Sequence, residues 1–346
     1  MSGASGPALV TGATGFVGAN VARALLAHGE RVRALVRPTS DATNLAGLDV
    51  ELATGDLRDE ASVRRAVRGC RRVFHVAADY RFWARDPREL YESNVRGTVN
   101  VMEACLAEGV ERVVHTSTVG TIGLSALPSP CDEQTPLAPG QLTSHYKRSK
   151  REAEDAALSY VARGLPVVVV NPSAPVGPWD VKPTPTGKVL VDFACGRMPA
   201  VVDTGLNIVH VRDVAEGHWL AAERGRVGER YILGHRNMTL TEILAELAAI
   251  TGKRAPRLRI PYMVAWTAGA VSTAVANLVT HRPPSVPLEA VRMSRRRMFF
   301  DASKAVRELG LPQTPVRVAF EEAMAWFEER GYVPRSTGRK VEWASR

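Results

Sequence analysis

The chain has 346 residues, 45% of them apolar and 23% charged, the make-up of a globular protein with a full core and room for one large domain plus a smaller lobe. Lysine and arginine outnumber the acids 45 to 36, for a net charge of +9; no helix-turn-helix, RNP or zinc-finger pattern accompanies it, so nucleic acid is set aside and a phosphate-bearing ligand or an acidic lipid surface stays open. Cys70, Cys105, Cys131 and Cys195 lack CxxC or Cys/His ligand spacing, which speaks for reduced thiols and no metal, and the start MSGASGPALVTG lacks a basic and apolar leader, so a cytoplasmic protein is expected.

Apolar strand runs alternate with helical patterns through the first half. Residues 8–10, 31–36, 50–53, 72–76, 112–116 and 166–170 read as strands, and 60–68 and 91–108 as helices between them. That alternation predicts βαβ units and a doubly wound parallel sheet, an α/β Rossmann fold. Right after the first strand comes TGATGFVG, with Gly12, Thr14, Gly15, Phe16, Val17 and Gly18. Glycines at this turn let the backbone approach a pyrophosphate, and the helix they open offers unpaired N–H groups and the positive end of its dipole. The second strand ends at Arg37, where NAD-selective Rossmann enzymes place an acid for the ribose 2′-hydroxyl. A guanidinium suits a 2′-phosphate instead, so NADP is expected over NAD.

The fifth strand run ends in Thr116, Ser117 and Thr118, and ligands of such folds sit beyond the carboxyl ends of the strands. Tyr146 and Lys150 then form a YxxxK pair, on one face of a helix. A neighbouring ammonium and a cationic nicotinamide favour the phenolate, which would make Tyr146 a general acid or base near neutral pH, and Lys150 can also hold the nicotinamide ribose. Residues 172–185 hold five prolines and read as a loop above the sheet. Further on, 231–233 reads as a strand returning to the sheet, Thr239 as the N-cap of a helix, and Asp301 as the N-cap of another that Gly310 stops. The dinucleotide domain is therefore drawn at 1–172 with a return segment about 205–235. A smaller mixed substrate-binding lobe takes 173–204 and 236–332, and a mobile tail 333–346.

The GxxGxxG spacing resembles the extended branch of the short-chain dehydrogenase/reductase superfamily, and so do the VHVRDV run and the DASKAVRELG helix followed by Trp326. That resemblance implies an adenine site at Asp56 and Leu57, and a segment beside the cofactor at Val76, Ala77 and Ala78. It implies Pro172 and Ser173 next to the nicotinamide, and a catalytic set of Thr118, Tyr146, Lys150 and Asn94. Ser117 is the alternative hydroxyl on the substrate side, and Asn171 a substrate-side amide. HVAADYRFWARDP, NPSAPVGP with KPTPTGK, and VPLEAVRMSRRRMFFD are similar to the hopanoid-associated sugar epimerase (HpnA) group. That group is similar both to sugar-nucleotide epimerase/dehydratases and to dihydroflavonol-reductase-like enzymes, and its name implies epimerase/dehydratase-type chemistry on a sugar, free, nucleotide-linked or hopanoid-linked. Leu206 stands where nucleotide-sugar epimerases carry a diphosphate-gripping arginine; Arg292 is a candidate phosphate clamp or else part of a basic surface face with Arg295, Arg296 and Arg297. The alternatives are an NADPH-dependent ketone or aldehyde reductase and, more remotely, a non-enzymatic NADP sensor. The resemblance also implies a homodimer. Residues 262–279 are uncharged and flanked by arginines, which suggests a cap helix or a shallow membrane contact.

Overall fold

The computed structural model describes residues 6–124 and 129–334. Strands β1 (Ala8–Thr11), β2 (Val32–Val36), β3 (Val50–Thr54), β4 (Arg72–His75), β5 (Arg112–Thr116) and β6 (Val167–Pro172) alternate with helices. These are α1 (Phe16–Ala27), α2 (Glu60–Val67), α3 (Arg88–Tyr91), α4 (Gly97–Ala107) and α5 (His145–Ser159), and a π-helical turn over Glu92–Arg96 joins α3 to α4. Next come β7 (Ala174–Val176), α6 (Pro185–Ala194), β8 (Ala200–Val201), β9 (Gly205–His210), α7 (Val211–Arg224), β10 (Arg230–Leu233), β11 (Arg236–Thr239), α8 (Leu240–Thr251) and β12 (Leu258–Arg259). The chain closes with α9 (Tyr262–Val275), α10 (Leu288–Met293), α11 (Ser303–Leu309) and α12 (Val316–Glu329).

Seven parallel strands form the main sheet in the order β10-β6-β5-β4-β1-β2-β3. Its central strands are near-continuous apolar runs because both faces are covered. Val10, Val21, Leu25 and Val214 share one core with α1 and α7, and Val63, Met102, Val113 and Ala157 share the other with α2, α4 and α5. The order reverses between β1 and β4, which opens the crevice where such sheets bind ligands. The smaller lobe holds the β11-β9-β7 sheet and a separate core of Leu190, Phe193, Leu244, Phe320 and Phe327. Thr239 caps α8 reciprocally with Glu242, as expected.

Four boundaries differ from the sequence reading. Residues 174–176 of the proline-rich stretch are strand, with Pro175 on an edge of the lobe sheet, where no ladder N–H is needed. Strand β9 pairs with β7 and β11, so of the return segment about 205–235 only α7 and β10 rejoin the main sheet. Ala302 takes the cap position of α11, while Asp301 Oδ1 accepts from the Ser303 N–H at 2.8 Å. Val333 is buried in the lobe core rather than in a mobile tail, and residues 335–346 lie outside the described residues.

Three histidines are buried in this framework. His75 sits between the Thr11 and Thr98 hydroxyls (2.8 and 3.0 Å), and His218 between the Thr116 hydroxyl and the Val214 carbonyl (2.9 and 2.7 Å). Neither ring nitrogen of His115 has a hydrogen-bond partner among the described residues. Burial keeps all three neutral, bringing His75 down to about 3, His218 to about 4, and His115 well below its ordinary range. Below about pH 6.5 the unfolded chain protonates these rings and the folded chain does not. Stability should hold from pH 8 to 7 and then fall with acid by about 1.4 kcal/mol per pH unit for each histidine. Urea midpoints measured across pH 8 to 4 check this; a flat profile would contradict the neutral buried rings.

Candidate active site

The turn after β1 is shaped by glycine. Gly12 has φ +71°, and a β-carbon there would lie 2.7 Å from the Ala77 backbone, so this turn and the segment after β4 touch across the crevice. The Ala77 N–H also donates to Thr11 Oγ1 (3.2 Å). Helix α1 starts at Gly15 with no side-chain cap and no acid in its first turn, which leaves its N–H groups for an anion. A β-carbon on Gly15 would meet only the Gly12 carbonyl oxygen, at 3.3 Å. Phe16 is buried, Val17 half-buried, and the Thr14 carbonyl accepts from Asn44 Nδ2 (3.1 Å).

Arg37 is exposed just beyond β2, its Nε 3.4 Å from Ser40 Oγ and in no ion pair among the described residues. Asp56 lies within its field, held below the usual carboxylate range chiefly by its hydrogen bonds from Arg58. Leu57 packs on Gly97 of α4 and accepts from Asn100 Nδ2 through its carbonyl (2.7 Å). Val76 and Ala78 flank Ala77 at the half-buried rim. An open, uncapped helix start after the glycine turn fits the pyrophosphate of a nicotinamide dinucleotide.

Ser144 caps α5 by accepting from the Lys147 N–H (3.1 Å), which sets Tyr146 and Lys150 one turn apart. Tyr146 is half-buried, shares a hydrogen bond with Thr118, and meets the Phe82 ring edge-on at 5.9 Å. Burial pushes its phenol up to about 12, with Thr118 opposing and Asp79 and Tyr80 adding to the rise. The Lys150 ammonium does not pair with this phenol. It donates to the Thr116 carbonyl at 2.7 Å, and burial brings it down to about 8 with Glu154 pulling the other way. In this arrangement the phenol is held protonated by burial, and the Lys150 ammonium is engaged by the Thr116 carbonyl.

The other candidates hold the frame. Asn94, in the π-helical turn, accepts from the Asp79 N–H (2.7 Å) and donates to the Asp79 carbonyl and Ser149 Oγ (both 2.9 Å). It pins the segment after β4 to α5 beside Lys150. Asn171, read as a substrate-side amide, is fully buried; its Nδ2 donates to the Thr118 carbonyl, Thr121 Oγ1 and Glu154 Oε2 (3.1, 3.2 and 3.0 Å). Its Oδ1 has no hydrogen-bond partner among the described residues. Ser117 is likewise buried, its Oγ 3.4 Å from Thr121 Oγ1. Pro172 ends β6, and Ser173 donates to the Leu233 carbonyl through its N–H and its hydroxyl (3.1 and 3.3 Å). Arg292 is exposed on α10, 3.8 Å from Glu289, which accepts from Thr143 just before α5. Leu206 lies half-buried among Val119, Ile122, Met293 and Met298.

Two features escaped the sequence reading. Glu154 continues the Tyr146 and Lys150 face by one turn; it is fully buried, accepts from Thr121 Oγ1 (2.8 Å) and pairs with Arg230 (3.2 Å). The i, i+4, i+8 spacing was the available signal. The second is the loop after β7. Trp179 has φ +77°, an unusual conformation for a bulky residue, with the Arg23 guanidinium stacked 3.7 Å over its ring. Asn44 Nδ2 donates to the Trp179 carbonyl (3.1 Å) and Asn20 Nδ2 to that of Pro178 (3.3 Å). These contacts strap the loop onto α1 and the glycine turn.

Comparison with known proteins agrees with this geometry. Residues 8–234 match the model of the NAD dependent epimerase/dehydratase family. A Synechocystis protein carrying the provisional name dihydroflavonol 4-reductase is 47% identical, over 94% of this chain and 95% of its own. Sterol demethylase protein B of Methylococcus capsulatus is 40% identical over 94% of this chain and 99% of its own. The crystal structure of gox2253 superposes with a TM-score of 0.84 at 47% identity, over 94% of this chain and 99% of that one.

Proposed function

The chain belongs to the NAD-dependent epimerase/dehydratase family and is an NAD(P)-dependent enzyme of the extended short-chain dehydrogenase/reductase type; from that premise we propose that it uses NADPH to reduce a ketone on a hydrophobic, lipid-type molecule. The observation that carries the reading is the aromatic contact at the phenol, with the polypeptide just after Thr118 running into an apolar cluster. Phe82 lies against Tyr146, and Val119 and Ile122, just after Thr118, are buried in an apolar cluster with Met298 on which Leu206 and Met293 pack half-buried. Leu206 stands where the resemblance implies a diphosphate-gripping arginine, and it offers no charge there. The names of the 47% and 40% identical relatives, a reductase and a sterol demethylase protein, support the same substrate chemistry.

A nicotinamide dinucleotide bound at the glycine turn supplies the hydride. The chain's own part is protonic and positional. Tyr146 keeps its proton at neutral pH and gives it to the carbonyl oxygen as the carbinol forms; the phenolate is then reprotonated from water. Thr118 holds the phenolic oxygen, and Asn171 and Thr121 hold the Thr118 carbonyl and its loop. Lys150 is fixed by the Thr116 carbonyl at the floor of the site. The reading sets the enzyme in the cytoplasm.

NADPH consumption with a panel of hydrophobic ketones, followed by nicotinamide absorbance, tests the proposal. Steady oxidation that yields a carbinol supports it. The second reading, epimerase/dehydratase chemistry on a sugar, draws on the family description and on the stretches similar to the hopanoid-associated group. It predicts no net NADPH loss and the return of labelled hydride to a sugar. Cofactor choice has its own test. Arg37→Asp should raise Kd for NADPH about 10- to 100-fold, the worth of one or two charged hydrogen bonds, and narrow the gap to NADH. Unchanged affinity for NADPH would remove Arg37 from the phosphate site.

A further inference from the structure

Helix α9 and its continuation over Ala276–Thr280 are built inside out. A helix on a water-facing surface turns its large apolar side chains inward. Here the residues turned inward are small: Gly269 and Ala276 are buried, and a β-carbon on Gly269 would lie 3.0 Å from Val291 of α10. The large ones face out. Val271 is 59% exposed, Leu278 79% and Val279 72%, with Met263, Val264 and Val275 along the same helix also exposed. Among the described residues, Tyr262–Thr280 is the one helix long and apolar enough to cross a bilayer, and only 11% of that stretch is buried. Exposed patches of this kind mark interaction sites.

The charge around it is as one-sided as the apolarity. Residues 252–297 carry nine lysines and arginines and a single acid, Glu289. Arg257 and Arg259 precede the helix, Arg282 follows it, and Arg295 lies 6.0 Å over the Tyr262 ring at its start. Arg257, Arg259, Arg282 and Arg295 are exposed or half-exposed, and none is in an ion pair among the described residues. Glu289, the one acid, is buried against α5.

We propose that this face docks on the surface of an anionic lipid bilayer, with the outward apolar residues of α9 seated at the headgroup boundary and the arginines on lipid phosphates. The charge decides between occupants: a second copy of the chain would bring the same positive ring against this one, whereas an anionic bilayer complements it. Ser272 and Thr273, hydrogen-bonded to Ser285 and the Leu288 N–H (3.1 and 3.0 Å), keep the helix folded back on α10, which suits lying on a membrane rather than crossing it. The face also adjoins the active site. Trp83 Nε1 donates to Asn277 Oδ1 at 2.7 Å, one residue from the Phe82 that touches Tyr146, and α10 reaches Thr143 through Glu289. Docking therefore brings the Tyr146 site to the membrane. The inference stands on exposure and charge and does not depend on the reductase reading.

Flotation of the whole protein with phosphatidylcholine vesicles, with and without phosphatidylglycerol, tests it. The protein should float with the anionic vesicles and stay behind with the neutral ones. The double substitution Arg257→Gln with Arg259→Gln should weaken binding by about tenfold or more, and Val271→Glu with Leu278→Glu should abolish it. Both variants should keep the wild-type melting temperature and NADPH affinity, so lost binding is not lost folding. Absence of flotation with anionic vesicles overturns the proposal, as does flotation that survives the glutamates. A wild-type dimer in sedimentation that Val271→Glu with Leu278→Glu converts to monomer, without vesicle binding, would assign the face to a second copy and overturn it as well.

Discussion

Tyr146→Phe is expected to lower kcat by about 10²- to 10⁴-fold, the usual worth of a positioned proton donor, while leaving NADPH affinity within about twofold. The variant keeps the ring that meets Phe82 and removes only the hydroxyl that carries the proton and bonds to Thr118. Losing that one hydrogen bond should cost about 1 kcal/mol of stability, so a large kinetic loss cannot be charged to unfolding. Single-turnover rates with preloaded NADPH and a ketone that wild-type protein reduces are the measurement. Unchanged kcat would mean that another group supplies the proton, and the half-buried phenol would have no role in the reaction.

Gly18→Ala should lower stability by about 3 kcal/mol, at the upper end for one methyl group forced into a packed core, and with it NADPH affinity. A β-carbon at Gly18 would lie 2.1 Å from the Gly12 carbonyl oxygen and 2.6 Å from its carbon. Both are backbone atoms of a turn held against Ala77, so neither can step aside cheaply. Helix α1 would have to leave β1, opening the core that Val10, Val21 and Leu25 fill. Gly15→Ala is the contrast. Its methyl meets only the Gly12 oxygen at 3.3 Å, so the fold should survive with nearly its original melting temperature. The methyl would stand at the open helix start where a pyrophosphate binds, and NADPH affinity should drop. If Gly15→Ala binds NADPH normally, the phosphate does not sit on this turn; if Gly18→Ala melts as the wild type does, the close contact is not a constraint.

What the sequence by itself determined is local and periodic. The valine-rich runs, the glycine turn at the start of α1, the Thr239 cap and the common helix face of Tyr146 and Lys150 all follow from spacings of a few residues, and the structure keeps them. Tertiary structure decided what depends on partners far apart in the chain. β6 carries the Asn171 amide to the Thr118 carbonyl and Glu154, and β5 brings the Thr116 carbonyl to the Lys150 ammonium. Glu154 gains its meaning from Arg230, and Trp179 from Arg23; neither pair is visible as a pattern. Strand β9 looks like part of the return to the main sheet because its apolar run is the same, and only its ladder with β7 and β11 puts it in the lobe. Helix α9 shows the limit most plainly. Its composition is that of a buried helix, but which face is covered depends on where α10 lands, and α10 lands on the small residues and leaves the large ones outside. Periodicity tells which residues share a face; only packing tells what that face meets.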